Sequence, residues 1–254
     1  MGPWQYLSGY EKLSGTVTVN SVSVTPTYRF HGKDATAGGW NPQVGSVAMA
    51  EANSGVTTDP TYSFSGTWGN GIDYNGGKYH QAASDAYGIG TQDYYKEIIA
   101  VAVSANEGIA GKYHTGTPAG CYTSWNTSGR IYHYIRNGAT SVTVQSAASA
   151  LTAGTLYFIS IFCDRNENST SGCRIYANGS LVASGNPSTL SAANLDSSVS
   201  RLRIGTNAEA PTNECTGAIY YVAKWLSSGW FAGGATNDTE WLAYHQARYA
   251  VLTG

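Results

Sequence analysis

Two short apolar runs flank an Asn178-Gly179 pair in CRIYANGSLVASG, residues 173–185. Asn-Gly supplies two positive φ angles, which the type I′ turn of a two-residue hairpin requires. The same grammar returns in RIYHYIRNGATSVTVQ, residues 130–145, around Asn137-Gly138. A chain punctuated this way pairs its strands antiparallel, and its other segments have to be compatible with a sheet.

They are. LYFISIFC, residues 156–163, places Tyr157, Ile159, Ile161 and Cys163 on one face and Leu156, Phe158 and Phe162 on the other. Strand side chains alternate, so both faces are apolar, and a central strand between two sheets is expected. YYKEIIAVAV (94–103), RLRIGT (201–206) and CTGAIYYVAKWL (215–226) read as further strands. TVTVNSVSVTPTYRF (16–30) alternates strictly, which predicts an edge strand or an arm. Many short strands between Gly and Asn turns define an all-β sandwich or jelly roll. One helix is expected over residues 236–252, where Trp241, Leu242, His245 and Tyr249 share a helical face and Asn237 or Asp238 could cap it. We divide the chain into an N-terminal arm, 1–35, and a sandwich domain, 36–254.

Charge narrows the partners. Lys plus Arg number 14 and Asp plus Glu 16, and charged residues are 12 % of the chain, about half the usual share. Without a basic face, neither nucleic acid nor an anionic lipid surface is an expected partner. No apolar run approaches the ~18 residues of a membrane span. Residues 1–15 lack a basic start followed by an apolar core, so no secretory leader is read there. An extracellular or virion-surface location fits a coat of Ser, Thr, Asn, Gly and Tyr.

The four cysteines, Cys121, Cys163, Cys173 and Cys215, form no Cys-x-x-Cys pair, which disfavours zinc and thiol redox chemistry. If the strands flanking DRNENSTSG pair, Cys163 and Cys173 face each other at the loop mouth and a bridge would close it. Cys121 and Cys215 would then pair by elimination. Buried reduced thiols are the alternative.

Tyr176, Asn178, Gly179, Ile204, Gly205, Gly217, Ile219 and Trp225 stand in an order that resembles the laminin G-like, concanavalin A-like lectin/glucanase superfamily. The resemblance covers residues 93–251 and, in part, 41–80. Cys215 stands where the family usually has an aromatic residue. The fold implied is a concanavalin A-like jelly-roll β-sandwich of two antiparallel sheets with a short C-terminal helix. Members that cleave polysaccharides carry carboxylates at alternate positions of one strand, so that acid and nucleophile meet the same bond. No such run exists here. Glu97 stands alone, Glu209 and Glu214 flank Pro211, and Asp164 and Glu167 share a loop. No catalytic residue is assigned and no enzyme is expected.

Two binding sites are candidates. Tyr113, Tyr122, Trp125, Tyr132 and Tyr134 lie among Thr123, Ser124 and Asn126, an aromatic and hydroxyl mixture suited to a sugar's C–H face and its oxygens, with Tyr113, Tyr122, Trp125 and Tyr132 the first candidates. Trp68, Tyr74, Tyr79 and His80 form a second aromatic group. In DRNEN, Asp164, Asn166 and Asn168 alternate as hard oxygen ligands suited to calcium, although a solvated loop is the simpler reading. No cofactor is required and calcium is optional. The expected function is a non-enzymatic display or structural protein of a phage virion, as a capsid decoration or fibre, whose partners are other virion subunits. A secreted lectin-like module that binds surface glycans is the alternative, and a polysaccharide-cleaving enzyme is disfavoured. A homo-oligomer is compatible with each.

Overall fold

The computed structural model describes residues 13, 17–19, 22–36, 39–52, 60–66, 69–83, 85–114, 116, 118–206, 214–226 and 238–253. Its first strands are β1 (Val17–Val19), β2 (Val22–Val24), β3 (Tyr28–His31), β4 (Ala35–Thr36), β5 (Gly39–Trp40) and β6 (Met49–Ala52). Then come β7 (Thr61–Gly66), β8 (Gly69–Asp73), β9 (Tyr79–Ala82), β10 (Tyr94–Val101), β11 (Glu107–His114), β12 (Ala119–Trp125) and β13 (Ile131–Asn137). The last are β14 (Thr140–Gln145), β15 (Leu156–Cys163), β16 (Cys173–Ala177), β17 (Ser180–Gly185), β18 (Leu202–Ile204) and β19 (Ala218–Leu226), followed by helix α1 (Asp238–Thr253).

All described strand pairs are antiparallel, and two large sheets result. One has eight strands in the order β17-β16-β15-β10-β19-β8-β7, with β3 also on β19. The other has nine, β14-β13-β12-β11-β18-β9-β6-β5-β4. The far edge of β19 is shared: β8 pairs Ala218 and Ile219, and β3 pairs Tyr221 to Lys224. The expected β-sandwich with one terminal helix is the observed fold. The arm is shorter than expected, because Tyr28 and Phe30 are buried in the core and β3 hydrogen-bonds into the eight-stranded sheet. β1 and β2 form a two-stranded sheet of their own, from which Val24 packs against the aromatic layer on the outer face of the eight-stranded sheet.

The main core lies between the sheets and holds Trp40, Ile98, Ile109, Trp125, Ile159, Ile161, Ile204 and Val222. A second layer covers the outer face of the eight-stranded sheet. There Tyr95, Ile99, Phe158, Phe162, Tyr221 and Trp225 pack under Trp241 and Leu252 of α1. β15 is therefore apolar on both faces for a reason the sequence did not separate: one face meets the opposite sheet and the other meets a helix. Trp241, His245, Arg248 and Leu252 recur at helical spacing on the inward stripe of α1. The proposed cap, Asn237 or the Asp238 side chain, lies outside the described residues.

The turns follow their chemistry. Ala177 pairs Ser180, and Asn178 and Gly179 have φ of 45° and 87°, as type I′ requires. The second hairpin is offset by one residue. Asn137 pairs Thr140, so Gly138 and Ala139 form the turn. Gly138 alone has positive φ, 58°, as at the first central position of a type II′ turn.

All four cysteines are free and buried. Cys163 and Cys173 are direct partners across β15 and β16, but as thiols. The pairing of Cys121 with Cys215 is excluded by topology. Cys121 lies on β12, while Cys215 bonds Gly205 beyond β11. Three strand spacings of about 4.8 Å separate them, whereas a bridge tolerates a Cα separation of only about 7 Å.

Candidate sugar-binding face

Alternation along β11 to β14 divides the predicted aromatic group between two faces. Cys121, Thr123 and Trp125 point into the core, where Trp125 is 1 % exposed. Tyr122 points outward. Trp125, offered by the sequence as a binding residue, is therefore a core residue. Tyr113, Tyr122 and Tyr132 share the outward face, and Tyr134, also on β13, completes the group. Tyr122 lies 5.4 Å from Tyr113, 6.1 Å from Tyr132 and 5.1 Å from Tyr134 between ring centroids. Tyr113 and Tyr134 are 5.8 Å apart. Gly111 makes room for this packing, since a Cβ there would stand 2.3 Å from that of Tyr122.

The cluster has a polar margin. Across β13 and β14, Tyr134 pairs Thr143, Tyr132 pairs Gln145 and Arg136 pairs Ser141. Ser141, Thr143 and Gln145 are exposed, and Tyr122, Tyr132, Tyr134 and Arg136 are half-buried. Arg136 Nε donates to Gly138 O at 2.8 Å, and Nη1 reaches the Tyr113 hydroxyl at 3.4 Å. Burial, together with the hydroxyls of Tyr132, Tyr134 and Tyr113, raises the Tyr122 phenol, so it remains a neutral donor and acceptor. Among the described residues no strand or helix packs over this face. It offers ring surface for C–H groups beside hydroxyl, amide and guanidinium groups for oxygens. Alternation in IYHYIRN carried the signal for Arg136, on the same face as Tyr132 and Tyr134; strict assignment of faces would have included it and removed Trp125.

The second aromatic group is internal. Tyr74 and His80 are fully buried and bonded to each other at 2.9 Å. Tyr79 is 5 % exposed and lies under Arg203, 5.6 Å away. Trp68 is outside the described residues.

The DRNEN loop directs its oxygens elsewhere. Asp164 Oδ1 accepts from the Asn166 and Glu167 N–H groups at 3.0 and 3.2 Å. Asn168 Oδ1 accepts from Asn186 and Ser188 at 3.0 and 2.9 Å. Asn166 turns toward Asp93, at 3.5 Å. These three side chains serve as turn and loop fasteners. No group of three or more His, Cys, Asp or Glu placed to hold a metal occurs among the described residues.

One pair has the outline of a nucleophile and its base. Ser160 Oγ lies 2.7 Å from His245 Nδ1. However, His245 Nε2 accepts the Gly179 N–H at 2.9 Å. The proton therefore sits on Nδ1 and is donated toward the serine, the reverse of what activation requires. Burial lowers the imidazole to about 3. The pair is a fastener between α1 and β15. Glu97 is similarly enclosed, bonded by Tyr95 at 2.5 Å, Tyr221 at 3.3 Å and Arg248.

Two adjoining cavities of about 380 and 410 Å³ open at one end of the sandwich and share Val103, Ser104 and Ala153. Their walls are small residues, with the Asp73 carboxylate in one and no aromatic ring in either. They are separate from the tyrosine cluster.

No family model matches the sequence, and no curated protein matches it. Solved structures do resemble the fold. Domain 4 of AbnA, an extracellular arabinanase from Geobacillus stearothermophilus, in complex with arabinotriose, aligns over 89 % of this chain and 98 % of that one, with TM-score 0.57 and 11 % identity. A Trypanosoma rangeli sialidase aligns over 98 % of this chain and 38 % of its own, with TM-score 0.54 and 12 % identity. The binding domain of botulinum neurotoxin serotype G aligns over 91 % and 52 %, with TM-score 0.54 and 14 % identity. At such identities the likeness is one of fold, and the fold is a β-sandwich.

Proposed function

We propose that the chain is a non-enzymatic carbohydrate-binding module whose ligand lies on the tyrosine cluster of the nine-stranded sheet. The observation that carries this reading is the contiguous set Tyr122, Tyr132 and Tyr134, half-buried on the outer face and packed around the buried Tyr113. Tyr122, Tyr132 and Tyr134 stack on the sugar's C–H patch. Arg136, Thr143 and Gln145 at the margin hydrogen-bond its hydroxyls. Aromatic stacking contributes roughly 0.5–1.5 kcal/mol per ring beyond area burial, so a few contacts give the modest affinity of a module that works by multivalency. The AbnA domain, whose structure holds arabinotriose, supports the reading by likeness of fold alone.

Binding to a glycan panel, with calcium and with a chelator, tests it. Calcium-independent binding lost in Tyr122→Ala supports the proposal. Binding abolished by the chelator would move the site to polar loops, and turnover of any polysaccharide would overturn the non-enzymatic part. Display on a virion is the second reading. It is favoured by the β1–β2 hairpin, joined to neither large sheet, which could add a strand to a neighbouring subunit. Removing residues 1–26, which spares β3, should then abolish assembly with that neighbour; unchanged assembly rejects it.

A further inference from the structure

The sandwich interior contains three lysines that the sugar-binding reading does not use. Lys96 on β10 and Lys224 on β19 are direct cross-strand partners. Lys112 enters from β11 on the opposite sheet, where it pairs Cys121. Their exposures are 2 %, 2 % and 5 %. Like charges directly opposite in a sheet are destabilising even at a surface, and buried charges are ordinarily paired.

Two of the three have acceptors. Lys224 Nζ donates to the carbonyls of Tyr87 and Gly88 and lies 5.3 Å over the Tyr28 ring. Lys112 Nζ donates to Asp85 O and stands 3.6 Å from the Asp196 carboxylate. Lys96 Nζ is buried and has no hydrogen-bond partner. The nearby imidazole of His133 has both nitrogens engaged, with Tyr94 at 2.6 Å and Thr123 at 3.1 Å. A buried lysine amine whose N–H donors have nothing to receive them is costly. What the site requires is an acceptor, and a lysine side chain favours a negative one.

We infer that Lys96, with Lys224 beside it, binds a small inorganic anion of halide size, such as chloride, between the two sheets. Paired sheets stand about 10 Å apart and their inner side chains interdigitate. That spacing favours a single-atom anion over phosphate or sulfate. The anion would give the Lys96 amine its missing partner and tie β10 to the facing sheet. It would bind the folded chain alone and therefore stabilise it by mass action.

The test uses the full chain with chloride and bromide as probes. Crystals soaked in bromide are expected to give an anomalous peak within about 3.5 Å of Lys96 Nζ, the reach of a charge-assisted contact. Unfolding in sodium chloride, compared with sodium gluconate at equal ionic strength, should show a folding constant that rises up to tenfold per tenfold increase in chloride above its dissociation constant. Lys96→Met should remove that dependence while leaving any general salt effect. Absence of the bromide peak overturns the inference, and so does a chloride dependence that persists unchanged in Lys96→Met. If the variant does not fold, the bromide experiment on the native chain still decides.

Discussion

Both large sheets turn aromatic side chains outward, and among the described residues α1 covers those of the eight-stranded sheet while no helix covers those of the other. On the eight-stranded sheet, Tyr95, Phe162 and Trp225 lie under α1, with Phe162 and Trp241 ring centroids 3.9 Å apart. On the nine-stranded sheet, Tyr122, Tyr132 and Tyr134 remain half-buried beside Thr143 and Gln145. The difference is chemical. The covered face adds Phe158, Phe162 and Trp225 to its tyrosines Tyr95, Tyr176 and Tyr221, and two of its polar groups are bonded inward, Glu97 to Arg248 and Ser160 to His245. The open face carries Tyr, whose ring is apolar and whose hydroxyl remains in water. Aromatic content alone does not identify a binding face; the residues facing it do.

Substitutions should separate the two faces sharply. Trp241→Ala on the covered face should cost about 3–5 kcal/mol in urea unfolding, the usual loss for a buried Trp. Glu97→Gln leaves the Arg248 guanidinium buried beside a neutral amide, and a loss of roughly 3 kcal/mol is expected, toward the lower end for a broken buried pair. A cost below about 1 kcal/mol for both would remove the claim that α1 seals this sheet.

Acid should act through buried histidines, His245 under the covered face and His80 in the main core. Burial holds His245 at about 3 and His80 at about 4, against an ordinary 6.5. The unfolded chain therefore takes up protons before the folded one does. These groups contribute their full stability above pH 6.5 and lose it as pH falls toward 4 and then 3. The expected loss is a few kcal/mol, read as a falling urea midpoint between pH 6.5 and 4. A midpoint flat over that range would contradict the enclosure of His245. Asn178→Ala should cost about 1–2 kcal/mol, since the Asn178 side chain accepts from Phe158 N–H at 2.8 Å and holds positive φ. Tyr132→Ala, on the open face, should change stability by less than about 1 kcal/mol.

Period-two alternation and Asn-Gly turns made the sandwich legible, because both are local properties of the chain. The destination of each face is not local. LYFISIFC has two apolar faces whichever layer covers them, so a helix could not be told from a sheet. The one-residue offset at Asn137-Gly138 arose because glycine satisfies either central position of a primed turn. In the aromatic group, sequence proximity joined Trp125 to Tyr122, although three residues along a strand reverse the face. The calcium reading had the correct donor types, but Asp164 and Asn168 are occupied by contacts with Glu167, Asn186 and Ser188 that only the fold brings together.

The most direct test of the account is glycan binding by the native chain beside Tyr122→Ala and Trp125→Phe. We predict that Tyr122→Ala keeps its unfolding midpoint within about 1 kcal/mol of native stability and loses binding at least tenfold, while Trp125→Phe binds as the native chain does. Equal binding by Tyr122→Ala and the native chain would contradict the assignment of the open face as the sugar-binding site.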